Sequence, residues 1–301
     1  MKHKAGLLLA LVSASCLGIA VDGKPSTVTH WTLPAVSSPL WESHPALDPL
    51  TGDLWFVRSD KTFSGWRILA SHCSDGRWTE PVPSPLSAPG LEADPWFSPD
   101  GRTLWFISTR ATGSKSGSGL DIWRAERADD GQWKTPQRLP EPVNSAFAEW
   151  FPRPAPDGWL YFGSGRPGGR GKDDIWRARQ NAAGSWTVEN VAGLNTPDAE
   201  YEFQPAPDGT WGVLGTAQGL FRVVATPTGW QRGAKFGAVI NTTGTEMGPS
   251  IAPDGRSFIF SRDTGTDTSG ELFIAHLDSA GQWPPSRCEV GTGIANSPST
   301  H

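Results

Sequence analysis

The chain has little with which to attack a substrate and little with which to hold a nucleic acid. Its 26 Lys and Arg are outnumbered by 31 Asp and Glu, for a net charge of −5 and a pI near 5.7. No stretch gathers the basic residues into the footprint that a phosphate backbone requires, which excludes nucleic acid as a partner. The six histidines are dispersed, with His3 and His301 at the ends, so no His-rich metal site is expected. No HExxH occurs. GGRGK at 168–172 fails as a phosphate loop because Asp173 stands where Ser or Thr is needed and a strand follows instead of a helix. GSKSG at 113–117 has Lys in the place of a nucleophilic Ser. Asp263, Asp267 and Glu271 lack the alternation of a calcium loop and read as a polar turn. No catalytic residue, metal or cofactor is assigned.

Long apolar runs are also missing, apart from one at the start. In MKHKAGLLLALVSASCLGIA, Lys2 and Lys4 precede an apolar core from Ala5 to Ala14, shorter than the roughly 20 residues of a membrane span. Residues 1–20 therefore read as an export signal, predicting a periplasmic or secreted chain without a membrane span. Cleavage after Ala20 and a lipid anchor at Cys16, as in an outer-membrane lipoprotein, are both compatible with the small residues around them. Only two other cysteines exist, Cys73 and Cys288. In an oxidising compartment they form either a disulfide across a ring closure or two buried thiols.

What the chain has instead is repetition. EWFPRPAPDG runs from Glu149 to Gly158, EADPWFSPDG from Glu92, EYEFQPAPDG from Glu200, EMGPSIAPDG from Glu246, and a looser ESHPALDPLTG from Glu42. The closing glycines Gly52, Gly101, Gly158, Gly209 and Gly255 are 49, 57, 51 and 46 residues apart, a period typical of propeller blades. Each unit reads as a four-stranded meander: a Pro-limited strand, a Pro-Asp-Gly turn, a bulky apolar strand, a loop, a third strand such as DIWRAR, and a turn before a Trp. Runs such as LWFI at 104–107 are apolar on consecutive residues, so both sheet faces must be covered, as in stacked blades. Sixteen Trp and these strands oppose the disorder that 35 Gly and 27 Pro would otherwise suggest.

The expected fold is all-β: one β-propeller over 21–290 with blades at about 42–83, 92–140, 149–192, 200–235 and 246–290, and a tail at 291–301. Six blades require the ends to build one without the repeat. Residues 30–36, HWTLPAV, look like a fourth strand without its first three, so an N-terminal strand is expected to close the ring and remove a free edge. The expected state is a monomer.

The units resemble the TolB-type, WD-like β-propeller repeats of bacterial envelope proteins. The pattern is carried by NTPDAEYEFQPAPDG at 195–209, SPDGRTLWFISTR at 98–110 and GRPGGRGKDDIW at 165–176. The fourth unit departs most, since GTWGVLGTAQGLF lacks the long loop and the Arg. The resemblance implies an exported propeller that binds an envelope protein or cell-wall component without catalysis, and it carries no catalytic residues onto this chain.

In a four-stranded meander the blade-to-blade crossings and the second-to-third loops share one face. Glu42, Glu92, Glu149, Glu200 and Glu246 lie at the crossings, and Arg58, Arg110, Arg166 and Arg262 follow the second strands, so both sets should meet around the central channel. They form either a charged funnel for a ligand or, since they repeat in every blade, a device that serves the blade. Trp55, Trp105, Trp123 and Trp176 read as interblade packing. Among Trp41, Trp96 and Trp150, nearer the crossings, one or two are candidates to stack a sugar ring, and Trp150 is joined by loops at 111–119 and 167–172. The favoured function is noncatalytic recognition. The rival is a carbohydrate-active enzyme, or a glycan-binding propeller, using carboxylates and aromatics on this face.

Overall fold

The computed structural model describes residues 27–111, 119–242, 245–264, 270–280, 283, 284 and 288. The expected signal, Cys16, the tail and most of the 111–119 loop lie outside them. The chain folds as an all-β propeller of five blades, each of four antiparallel strands. Blade 1 contains Trp41–Leu47, Leu54–Ser59, Arg67–Ser71 and Val82–Pro83 from the channel outwards, and blade 2 contains Glu92–Phe97, Thr103–Ser108, Asp121–Glu126 and Gln137–Arg138. Blade 3 has Glu149–Pro154, Leu160–Ser164, Asp174–Gln180 and Trp186–Asn190; blade 4 has Glu200–Pro205, Trp211–Thr216, Gly219–Thr226 and Gly229–Lys235. Blade 5 takes Met247–Ile251, Ser257–Asp263 and Gly270–His276 from the end of the chain and Thr27–His30 from its beginning. The innermost strands touch in sequence around the channel, and the fifth returns to the first. No helix among the described residues is long and apolar enough to cross a membrane.

The turns follow from their residues. In blades 2 to 5 the Asp of Pro-Asp-Gly accepts the backbone N–H two positions on, at 2.9 to 3.1 Å. The Gly that follows takes a φ of 66 to 79° at all five turns, which a β-carbon would disfavour. The second strands then bury Phe56, Phe106, Phe162 and Phe260 almost completely between blades, each contributing about 1.5–3 kcal/mol. Trp55, Trp105, Trp123 and Trp176 are buried in one apolar cluster between the first three blades. Asn144, Asn195 and Asn241 bracket the third strands, each side chain both accepting from and donating to one residue's backbone, at Ile122, Ile175 and Leu220.

Ring closure is doubled. Thr27 to His30 pair with His276 to Phe273, so the closing strand ends where the stretch expected from sequence begins. The apolar spacing of Trp31, Leu33 and Val36 serves another purpose: they are buried between blades 5 and 1 against Phe56, Ile259 and Leu272. Beyond blade 5 the chain returns to blade 1, where Cys288 is bonded to Cys73 on a small extra hairpin, with Cα atoms 5.4 Å apart.

Candidate functional site

The five repeated glutamates are consumed by the blades. Each is at most 1% exposed. Each accepts the backbone N–H four residues before it, at Ser38, Ala88, Ser145, Thr196 and Thr242, which pins the crossing loop. Glu42, Glu92, Glu149 and Glu246 then pair with Arg58, Arg110, Arg166 and Arg262 at 2.7, 2.6, 2.9 and 3.5 Å. Blade 4 lacks that Arg after its second strand, and Arg232 from its fourth strand reaches Glu200 at 2.6 Å instead. Burial pushes the carboxyls of Glu42 and Glu149 upwards against the pull of Ser and Arg partners. Burial likewise lowers Arg110, Arg166 and Arg262. The structure thus places the five glutamates and five arginines, Arg232 included, in interlocking pairs beneath the face, and of the ten sequence candidates only Trp150 lines the central cavity.

The channel is furnished from a different repeat position. Every innermost strand shifts register against its neighbour just after the glutamate. Two residues beyond it stand His44, Asp94, Phe151, Glu202 and Gly248, of which all but Glu202 have φ between 50 and 64°. Such a bulge re-aims a side chain. Here His44 Nε2 lies 3.3 Å from Asp94 Oδ1 and 3.0 Å from Glu202 Oε1. The other carboxylate oxygens accept backbone N–H groups, Asp94 from Phe151 at 2.7 Å and Glu202 from Gly248 at 2.8 Å. Gly248 is required: a β-carbon there would stand 2.8 Å from His44 N and 3.1 Å from its ring. Arg153, also buried, binds Gln204 Oε1 at 2.8 Å and stacks on Phe151.

This hub engages all five blades and floors a cavity of about 340 Å³, open at the crossing face. Its walls are mostly apolar and aromatic: Phe63 and Trp66 from the second-to-third loop of blade 1, Trp150 from blade 3 and Tyr201 from blade 4. Trp66 meets Trp150 edge-on at 5.8 Å and Phe63 at 5.4 Å. Asp173 enters from blade 3. The residue beside it, Asp174, turns the other way and accepts from Arg170 N, Gly171 N and Asn190 Nδ2, so the Gly-rich loop at 167–172 wraps one carboxylate and presents the other to the cavity.

Burial outweighs the hydrogen bond from the Trp150 indole and, with Asp174 nearby, raises the Asp173 carboxyl above the usual range. Burial works against a charged His44, but Asp94 and Glu202 more than compensate and raise it. Burial draws Arg153 down to about 9 despite the same two carboxylates, leaving it charged at neutral pH. The Tyr201 phenol is raised by burial and by Glu202 and Asp173. Among the described residues no group of three His, Cys, Asp or Glu side chains is arranged to hold a metal ion.

Sequence reasoning missed His44, Asp94, Glu202, Tyr201, Asp173, Phe63 and Trp66. For His44, Asp94 and Glu202 the signal available was asymmetry at one fixed position, two residues after each repeated Glu, whereas Phe63, Trp66 and Asp173 lie in second-to-third loops. Of the other tryptophans near the crossings, Trp41 is buried with its indole tilted against Phe63, and Trp96 packs on the core.

No protein-family model and no curated protein sequence matches the chain. Among solved structures it is similar in fold to a family 117 glycoside hydrolase of Zobellia galactanivorans, at 11% identity and a TM-score of 0.49, covering 90% of this chain and 95% of that one. It is similar to a Xanthomonas campestris gluconolactonase at 16% identity and 0.48, covering 85% and 96%. A Lactobacillus plantarum protein aligns at 13% identity and 0.40 over 73% of this chain, which spans 63% of the length of that one. These similarities concern the ring architecture alone.

Proposed function

We propose that the chain is an exported, TolB-like propeller that recognises a cell-wall or other envelope glycan in its central cavity, without turning it over. The observation that carries this is the pairing of broad aromatic walls, Trp66, Trp150 and Tyr201, with the carboxylates Asp94, Asp173 and Glu202 in one cavity. A sugar ring offers an apolar face to aromatic rings and hydroxyl donors to carboxylates. The volume suits one or two rings. Export is supported by the leader-like start of the sequence and by the Cys73–Cys288 disulfide, which belongs to an oxidising compartment.

One observation favours glycoside hydrolysis as a second reading. Asp173 is shifted in the direction a general acid requires, and Asp94 and Glu202, bridged by His44, stand no farther apart than contacts of 3.3 and 3.0 Å laid end to end. Against it, both oxygens of Asp94 and of Glu202 are already engaged, which leaves no free nucleophile.

The test is a glycan array followed by calorimetry on the hits and an assay for released reducing ends. Binding at one site per chain, weakened by Trp66→Ala at an unchanged melting temperature and without bond cleavage, supports recognition. Turnover abolished by Asp173→Asn transfers the conclusion to the second reading, and no glycan bound in any format overturns both.

A further inference from the structure

We infer that the preferred ligand is an amine-bearing sugar, a hexosamine with a free ammonium group, which the cavity seats against Asp173. This rests on the saccharide reading above and specifies the chemistry of the ring that enters.

The argument is one of charge matching in a confined space. Three carboxylates line the cavity, Asp94, Asp173 and Glu202. Two are already answered: His44 touches both Asp94 and Glu202, and the buried Arg153 guanidinium lies against the Asp94 carbonyl and the Gln204 amide. Asp173 makes no ion pair among the described residues, and its polar contact in the cavity is the neutral indole of Trp150. The rings of Trp150, Trp66 and Phe63 and the phenol of Tyr201 line the same cavity. Aromatic faces beside one unanswered carboxylate form the environment that attracts an ammonium ion. They repel a uronic or phosphorylated sugar, and a neutral sugar leaves the half-buried carboxylate uncompensated.

The positioning of Asp173 is built in. Its backbone carbonyl accepts from Glu200 N at 2.9 Å, locking it to blade 4, while the loop N–H groups hold Asp174 on the opposite side. The backbone that carries Asp173 is thereby fixed beside the cavity.

The test uses the full chain and sugars of gluco, galacto and manno configuration, each as the free amine, the N-acetyl derivative, the neutral hexose and the uronic acid, with the β-1,4 dimers alongside. Affinity is read by calorimetry and contact by saturation-transfer NMR. The amine is expected to bind about tenfold more tightly than the matching neutral and N-acetyl sugars, as a charge-assisted contact provides. Asp173→Asn should reduce that preference to about twofold or less. Near-ultraviolet circular dichroism confirms that the variant is folded, and Asp173→Glu should retain the preference. Neutral or N-acetyl sugars binding as well as the amines overturns the inference and leaves the saccharide reading standing. An amine preference that survives Asp173→Asn overturns the assignment to Asp173. Absence of binding by every class overturns the saccharide reading together with it.

Discussion

His44 Nε2 on blade 1 lies 3.0 Å from Glu202 Oε1 on blade 4, a contact made across the channel between blades that are not neighbours in the ring. With Asp94 on the other side of the same nitrogen, one imidazole joins three blades. Buried apolar side chains between the sheets fix how each blade meets the next. This hub fixes how far the ring opens at its centre, and therefore the depth of the cavity above it.

The hub makes stability fall as pH rises through the neutral range. Asp94 and Glu202 raise His44 above its ordinary value, against burial and against Arg153. A base with a raised folded value binds its proton more tightly folded than unfolded. Its stabilisation is therefore complete below an unfolded pKa of about 6.5 and is lost as pH climbs through the folded value. Urea unfolding in steps from about pH 6 to 8.5 should show this decline in the wild-type chain. His44→Gln should be less stable throughout and should lose most of the slope; a variant with the wild-type slope would remove His44 from the account.

Glu149→Ala should cost stability far more than ligand affinity. The side chain is fully buried and joins the Ser145 hydroxyl and amide, the Ser164 hydroxyl and Arg166. Its loss leaves the mostly buried Arg166 guanidinium without its counter-charge, a change expected to cost about 3–5 kcal/mol. Chemical denaturation measures that loss, and glycan titration of the folded variant should give affinity within about threefold of wild type. A large loss of affinity at unchanged stability would return the repeated glutamates to the binding site.

Architecture was readable because every blade needs the same backbone. Pro156-Asp157-Gly158 and its counterparts recur since each turn requires the same φ values, and Trp105 and Trp176 recur since each interface requires the same filler. The cavity could not be read in that way. At the position of His44, Asp94, Phe151, Glu202 and Gly248 no residue type repeats, and a bulge, which strict strand alternation does not foresee, decides which way each side chain points. Arg232 was equally hidden, because it serves Glu200 from an outer strand while its counterparts come from the second. The closing strand was displaced for a different reason: Trp31, Leu33 and Val36 carry strand-like spacing but plug a seam.

Reducing the Cys73–Cys288 bond should destabilise the ring without opening it. The bond spans 215 residues, for which the chain-entropy relation gives at most about 5 kcal/mol, and observed losses run near 2–5. Thr27–His30 remain paired with blade 5 in the reduced chain, so closure persists. Thermal unfolding with and without reductant, and of Cys73→Ser, should show equal decreases in melting temperature with unchanged far-ultraviolet circular dichroism. An unchanged melting temperature would mean that the N-terminal strand alone accounts for closure.

Phe63→Gly separates the cavity wall from the fold. Phe63 sits at the tip of a loop whose Thr62 and Ser64 amides both bond the Asp60 carboxylate, at 2.9 and 2.8 Å, and its φ of 58° is one that a β-carbon disfavours. A non-glycine residue held there costs about 1–3 kcal/mol, which Gly would recover. Set against this are its ring contacts with Trp41 at 5.1 Å and Trp66 at 5.4 Å, worth about 0.5–1.5 kcal/mol each beyond area burial. These two effects nearly cancel, but losing the apolar area of a half-buried ring and gaining the extra freedom of an unfolded Gly cost about 1 kcal/mol each, so unfolding free energy should fall by about 2 kcal/mol. Binding should not be spared: removing one aromatic wall is expected to weaken a glycan ligand about tenfold. Calorimetry on the variant decides the matter. Full affinity would show that Phe63 guards the cavity mouth without touching what enters, and the ligand would then have to be seated on Trp66, Trp150 and Tyr201.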